Sequence, residues 1–280
     1  MKTHLSLFSG IGGLDLAAEW AGFKTIGQCE WADYPTSVLE KHWPNVKRWK
    51  DVRELTAQSF FERTGYRSPT VVSGGFPCQP HSLAGKRMAS DDERDLWGEL
   101  FRVYRETGAG WLVAENVPGL LTSENGRFFG RVLRDLAQIG CDAWWYSFPA
   151  YACGAKYVGE RICIVAAANS KRFRRMDEKQ EIGADEEYLE MLGSWEARQN
   201  NLLLYPVRDE RTRGSQAERN DDGLPGALDE LKAYGNAVNP YQFFPIFKAI
   251  SEIESLAYLP LEDRRSNRDV RGVNTAVKSQ

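Results

Sequence analysis

The sequence predicts an α/β protein built on a doubly wound, mostly parallel sheet, with a small lobe inserted late in the chain. Two observations carry this expectation. Short apolar runs alternate with stretches of helical spacing between residues 5 and 168, which is the pattern of strands joined by crossover helices. The first apolar run also opens directly into a glycine cluster, FSGIGG at 8–13. With 280 residues, 42% of them hydrophobic, the chain is long enough for one sizeable core and a smaller appended lobe.

LSLF (5–8) reads as the first strand and LDLAAEWAGF (14–23) as a helix. TIGQCEW (25–31) is a second strand and YPTSVLEKHW (34–43) a second helix. PTVVSGG (69–75) is a strand that ends in glycines. The helix-like DLWGELFRVYRET (95–107) precedes the strand WLVAENV (111–117). RFFGRVLRDLAQIG (127–140) is a helix with a glycine stop, and RICIVAAA (161–168) is a continuously buried strand. Composition then shifts. Residues 169–230 are rich in Arg and Glu and poor in strand-like runs, apart from NLLLYPV (201–207). The α/β character returns as a loop and helix in YGNAVNPYQFFPIFKAISEIE (234–254), and the tail from about 259 is polar and reads as disordered.

The formal net charge is −3 and the pI about 5.8, so a basic coat is absent and any nucleic-acid contact must come from local clusters. No run approaches the ~18 apolar residues of a membrane helix. The start, MKTHLSLFSGIGG, does not resemble a signal peptide, so no membrane association is expected. The five cysteines, Cys29, Cys78, Cys141, Cys153 and Cys163, form no CxxC pair and are odd in number. That disfavours disulfides and zinc and fits a reducing, cytoplasmic setting. With three scattered histidines, no metal site is expected.

The glycine turn lies where α/β folds bind ligands, at the carboxyl end of a strand. Its spacing is G-x-G-G, neither the dinucleotide nor the Walker pattern; alone it reads equally well as a tight strand–helix turn. Glu30 follows about eighteen residues later, where a carboxylate commonly grips a ribose. Trp31 offers a flat face for an adenine. Asp51, in KDVREL, stands at the end of a short edge element and suits an exocyclic amine. Singly, Trp31 reads as a core aromatic and Asp51 as a surface acid. Together with Phe8, Gly10, Gly12 and Gly13 they describe an adenosine pocket without a phosphate clamp. S-adenosylmethionine, cationic and phosphate-free, fits better than NAD.

GGFPCQPHS (74–82) delivers Cys78 to the same sheet edge between Pro77 and Pro80, which stiffen the loop and remove backbone donors. A lone cysteine is most often a small core residue; the proline setting weakens that reading and favours a nucleophile. Glu115 and Asn116 end another strand, and adjacent sheet edges bring Glu115 toward Cys78. A buried carboxyl beside substrate can stay protonated and act as an acid. Arg161 enters a buried strand and needs a partner, either a carbonyl oxygen or Glu115.

Taken together, the chain resembles the cytosine-C5 DNA methyltransferases over about residues 4–168 and 221–254. LSLFSGIGGLDLAAEWAGF, QCEWADY, KDVREL, GGFPCQPHSLAGKR, RDLWGELFRV, ENVPGL and GNAVNP are similar to that family's motifs, in its order, and the PCQ loop is the most specific. The resemblance implies a Rossmann-like methyltransferase fold. It divides the chain into a catalytic and cofactor domain (1–168), a target-recognition insert (169–225), a returning segment (226–258) and the tail (259–280). It implies thiolate attack by Cys78 on C6 of a flipped-out cytosine, with Glu115 at N3, Arg161 at O2, Asn116 beside them, and methyl transfer from S-adenosylmethionine to C5. Asn236, Ala237 and Val238 would close the cofactor site. Pro77, Gln79, Ser82, Lys86 and Arg87 would lie on the loop that meets DNA.

The stretch YVGER (157–161) departs from the family's Q-x-R-x-R, with Tyr157 and Gly159 in place of the glutamine and first arginine. Ala237 stands where serine is common. KRFRR (171–175) and RDERTR (208–213) are the insert's basic clusters, balanced by Asp185, Glu186 and Glu187; the insert is expected to read a short site in the major groove. Double-stranded DNA is the expected partner and a monomer the expected state. A cognate restriction endonuclease acting separately and a solitary phage methylase stay open. The rivals are an RNA methyltransferase, a silent DNA-recognition protein and, third, an NAD oxidoreductase.

Overall fold

Seven strands form one sheet in the order β3-β2-β1-β4-β5-β7-β6. They are β1 (Thr3–Leu7), β2 (Lys24–Cys29), β3 (Lys47–Trp49), β4 (Val71–Gly75), β5 (Trp111–Asn116), β6 (Cys141–Phe148) and β7 (Arg161–Ala168). Every pairing from β3 to β5 is parallel, while β7 runs antiparallel to both β5 and β6. Among the described residues the α-helices are α1 (Gly13–Trp20), α2 (Asp33–His42), α3 (Ala57–Thr64), α4 (Trp97–Thr107), α5 (Arg127–Gln138) and α6 (Pro240–Ala257). This computed structural model describes residues 1–77, 96–155, 158–168 and 237–257. Cys78, Gln79, Ser82, Lys86, Arg87, Tyr157, Asn236, the insert and the tail lie outside the described residues.

Both faces of the sheet are covered, so its strands carry apolar side chains on both sides. Leu5, Leu7, Val72, Leu112, Ala114, Ile162 and Ile164 belong to one cluster with Phe60, Trp97, Leu100 and Val132 of α3, α4 and α5. Their alternate neighbours Val71, Val113, Cys163 and Val165 join Leu14, Ala17 and Ala18 of α1 and Phe243, Phe247 and Ile250 of α6 on the other face. This period-two division is the pleat of a strand. β1 is polar on the α1 side. His4 contacts the Thr25 and Ser73 hydroxyls at 3.0 and 2.7 Å. The Ser6 hydroxyl and the Gln28 amide donate to the Asp15 carboxyl, each at 2.9 Å. Buried polar groups are tolerable because they are bonded in this way.

Among the described residues the expected strands and helices are present, generally within a residue or two of their sequence patterns; NLLLYPV (201–207) lies outside them. Phe8 does not continue β1; its φ of 51° already belongs to the turn. Among the described residues, one helix and one strand escape the sequence reading. α3 begins at a capping box, Thr56 accepting from Ser59 N and Ser59 answering the Thr56 backbone, and stops at Gly65 with φ 76°. The T-x-x-S before FF and the following glycine were its signal. β6 has aromatics pointing both ways: Trp144, Tyr146 and Phe148 pack toward α6, while Trp145 meets Phe129 at 5.3 Å. An edge strand of this kind shows no clean apolar alternation.

α6 starts where Asn239 accepts from Tyr241 N through its side chain at 3.0 Å, with Pro240 in the first turn, a position that needs no N–H donor.

Candidate active site

The chain steps outward from β1 to β3, returns to β4 on β1's other side, and continues outward. The reversal between β1 and β4 is a topological switch point, and the carboxyl ends of β1, β2, β4 and β5 border the crevice it leaves.

At the end of β1 the glycine loop turns tightly. Gly10 has φ 54° and Gly12 φ 91°, a left-handed region that suits glycine. Gly12 also has no room for a side chain, since a Cβ there would lie 2.4 Å from the Trp43 ring. Gly13 has a different reason. A Cβ on it would come within 2.2 Å of the Val238 carbonyl oxygen, so the returning C-terminal segment crosses α1's first turn in direct contact. The structure therefore brings Val238 against the glycine loop.

Glu30 follows β2 directly. One carboxylate oxygen accepts from Gly10 N and the other from Ala32 N, both at 2.8 Å. The carboxylate is thereby pinned between the glycine loop and the start of α2, and its remaining lone pairs can still accept. Trp31 is 69% exposed, an open ring face rather than a core aromatic. Asp51 does not end β3, which stops at Trp49. It caps the following 3-10 turn, accepting from Arg53 N at 2.9 Å. No Lys or Arg lies in the glycine loop. An acidic, aromatic, phosphate-free set of this kind fits a cationic adenosyl ligand.

The catalytic candidates converge one strand further on. Gly75 of β4 stands opposite Glu115 of β5 in the parallel register. Beyond Gly75, Phe76 is buried between Trp97 (5.4 Å between ring centroids) and Phe128 (6.5 Å). Pro77 is exposed and leads toward Cys78. Asn116 donates from Nδ2 to the Phe76 carbonyl at 2.9 Å and accepts from Val117 N at 2.9 Å. Its amide is thus engaged by backbone on both sides, and it fixes the root of the cysteine segment to the end of β5.

Glu115 is 8% exposed. Arg161, the first residue of β7, places its Nε 2.9 Å from Glu115 Oε1 and donates from a terminal nitrogen to the Glu160 carbonyl at 3.0 Å. The guanidinium thus takes both kinds of partner the sequence allowed, the Glu115 carboxylate and a carbonyl oxygen. Burial pushes the Glu115 carboxyl up to about 7, against the opposing pull of Arg161. A carboxyl so poised can give and take a proton near neutrality.

Two further residues belong to this region. A Cβ on Gly75 would lie 2.6 Å from Glu115 Oε2, so glycine there admits the carboxyl; the sequence reading treated it as a strand end. Gln242 of α6 donates to the Phe148 and Gly159 carbonyls, each at 3.0 Å. No short-range sequence signal could have revealed the latter, because the contact spans 83 or more positions. Gly159 itself has φ 41°, a conformation that disfavours any side chain. Among the described residues no group of His, Cys, Asp and Glu could hold a metal, Cys29, Cys141, Cys153 and Cys163 form no disulfide, and no helix is long and apolar enough to cross a membrane.

A mostly parallel seven-stranded sheet with an antiparallel β7 between β5 and β6, a glycine loop at its switch point and no phosphate clamp define the class: a Rossmann-like methyltransferase fold. Solved structures agree at the level of the fold. A prophage-encoded DNA modification methyltransferase of E. coli superposes with a TM-score of 0.53 at 24% identity, over 60% of this chain and 47% of that one. A Spodoptera frugiperda DNMT2 variant gives 0.51 at 19%, over 65% and 54%. The family follows from the sequence match. The model of the C-5 cytosine-specific DNA methylases matches residues 2–243, and the chain belongs to that family. It is 32% identical over 171 residues to the Type II methyltransferase M.NgoMIV of Neisseria gonorrhoeae and 36% identical over 177 residues to M.Eco47II of Escherichia coli. Each match covers 60% of this chain, but only 52% and 40% of those relatives' own length.

Proposed function

We propose that this protein transfers a methyl group from S-adenosylmethionine to C5 of cytosine in a short duplex DNA sequence, through a covalent adduct of Cys78 with a flipped-out base. The supporting observation is the Glu115–Arg161 pair at the end of β5, one strand from the segment that runs into Cys78.

Cytosine is a weak nucleophile at C5. Attack of the Cys78 thiolate on C6 makes C5 enamine-like, and the negative charge that develops on the ring needs neutralising. Glu115, held near neutrality by burial, gives its proton to N3 as the adduct forms and recovers it as the adduct breaks. Arg161, already paired to Glu115, orients that carboxyl and presents its remaining N–H groups to O2. After methylation, the C5 proton leaves to solvent base and the thiolate is eliminated. Asn116 acts on the root of the Cys78 segment, as a positioning residue. Glu30, Trp31, Val238 and the glycine loop would hold S-adenosylmethionine, with Asp51 at its adenine side; bound there, it supplies an electrophilic methyl group. Flipping is required because C5 and C6 must meet the site outside the base stack. Pro77, Gln79, Ser82, Lys86 and Arg87 would face the DNA, with Asn236 and Ala237 closing the cofactor site.

The test is expression of the chain and of Cys78→Ser in a bacterial host lacking cytosine methylation, followed by single-base sequencing of 5-methylcytosine. Marks at one short motif, made only by the unaltered chain, are expected. Marks in tRNA instead of DNA, or marks that survive Cys78→Ser, would overturn the proposal.

A further inference from the structure

We infer that Gln242, on α6 at the far end of the chain, is a positioning residue for Arg161, holding the guanidinium in line with Glu115. This rests on the function proposed above.

The geometry is specific. Gln242 is 2% exposed, and its side-chain nitrogen donates to two carbonyls at 3.0 Å, those of Phe148 and Gly159. Phe148 is the last residue of β6 and stands opposite Arg161 in the antiparallel ladder. Gly159 lies two residues before Arg161 on the approach to β7. One amide therefore ties together the end of β6 and the entry to β7, at the point where the Arg161 side chain leaves the sheet.

The need for such a tie is visible in the chain itself. Residues 149–160 separate β6 from β7, so the ladder ends at the Phe148–Arg161 pair. Gly159, with φ 41°, is conformationally permissive and places no side chain beside Arg161. Without Gln242 the two carbonyls lose this donor, and beside the ladder the joint keeps the bond from Ala150 N to the Val158 carbonyl, at 2.6 Å, and that from the Ser147 hydroxyl to the Glu160 carboxylate, neither of which holds Phe148 or Gly159 directly. Arg161 would then sample orientations that leave Glu115, which also faces Cys163 across the ladder, without its counter-charge.

Gln242→Met keeps the length and volume of the side chain and removes both donors. Gln242→Asn, one methylene too short to reach both carbonyls, replaces it where the methionine variant does not fold. Two readouts are needed: the pH profile of single-turnover methylation of duplex DNA, and the titration of Glu115 followed by carboxyl ¹³C NMR, assigned with Glu115→Gln. S-adenosylmethionine binding, read by tryptophan fluorescence, serves as the control for folding. The expected result is a single-turnover rate lowered ~10-fold across the pH profile with cofactor binding unchanged, consistent with a displaced catalytic group. The Glu115 titration moves upward by about half to one pH unit, because a neighbouring cation otherwise holds it down. The double variant Arg161→Ala/Gln242→Met is no worse than Arg161→Ala. An unmoved Glu115 titration, or losses that add in the double variant, would overturn the inference. If the unaltered chain does not methylate DNA, the proposed function fails on its own, and the NMR titration still decides the role of Gln242.

Discussion

Gly75 and Glu115 face each other across the β4–β5 ladder so closely that a single methyl group on Gly75 would lie 2.6 Å from the Glu115 carboxyl oxygen. The absence of a side chain on one strand is what admits the carboxyl on the next. Arg161 then meets that carboxyl from the third strand, at 2.9 Å. Three adjacent strands thus assemble the pair proposed to handle the proton, one strand from Phe76 and Pro77.

Gly75→Ala is therefore expected to leave the sheet intact and impair chemistry. Relief of the clash costs about 1–3 kcal/mol of stability, and it comes by turning Glu115 away from Arg161. Methylation should fall ~100-fold while S-adenosylmethionine binding is retained. Parallel assays of turnover and cofactor affinity check this, and equal loss in both would show a general collapse instead.

Asn116→Ala removes the donor to the Phe76 carbonyl. An unsatisfied buried carbonyl costs about 1–3 kcal/mol, and the root of the cysteine segment loosens. Turnover is expected to drop ~10-fold or more, with the alkaline limb of the pH profile, set by Glu115, unmoved. A shifted limb would mean that Asn116 acts on Glu115 rather than on the Cys78 segment.

Gly13→Ala pushes a methyl group into the Val238 carbonyl, a backbone atom that cannot swing aside. About 2–3 kcal/mol of stability should be lost, and cofactor affinity should fall with it, because Val238 and the glycine loop part. Thermal unfolding with and without S-adenosylmethionine measures both.

Trp31→Ala separates binding from folding. The ring is 69% exposed, so stability should change by less than ~0.5 kcal/mol. Loss of a stacking face should weaken S-adenosylmethionine binding ~10-fold. Isothermal titration shows the difference, and unchanged affinity would remove Trp31 from the cofactor site.

Asp15 gives a prediction in pH. Burial raises its carboxyl to about 6 from 3.8, against the hydrogen bonds of Gln28 and Ser6. Between those values the unfolded chain releases a proton that the folded chain keeps, so this group's contribution to stability falls as pH rises through the window. An asparagine side chain accepts from Gln28 and donates to the Ser6 hydroxyl without any charge. Asp15→Asn should match the unaltered chain near pH 3.5 and become more stable than it by on the order of 2–3 kcal/mol above pH 6. Urea unfolding at several pH values checks this. His4 contributes in the opposite direction: burial lowers it to about 3, and the stability it brings is lost as pH falls below its unfolded value.

The sequence by itself determined the alternation of strands and helices, the glycine loop after β1, and the residue types at the ends of β2, β4 and β5. These are local signals: periodicity, positive-φ glycines and short motifs, each written within a few residues. Glu30, Trp31, Glu115 and Arg161 were legible for that reason. The strand β6 was not, because its aromatics face both ways, and α3 was too short for its period to stand out from its capping residues. Tertiary structure alone decided the pairings. That Glu115 takes Arg161, that Gly13 must yield to Val238, that Gly75 makes room for a carboxyl, and that Gln242 ties β6 to β7 are all contacts between residues distant in the chain. They depend on strand order and register, which follow from how the whole core packs and not from any one segment.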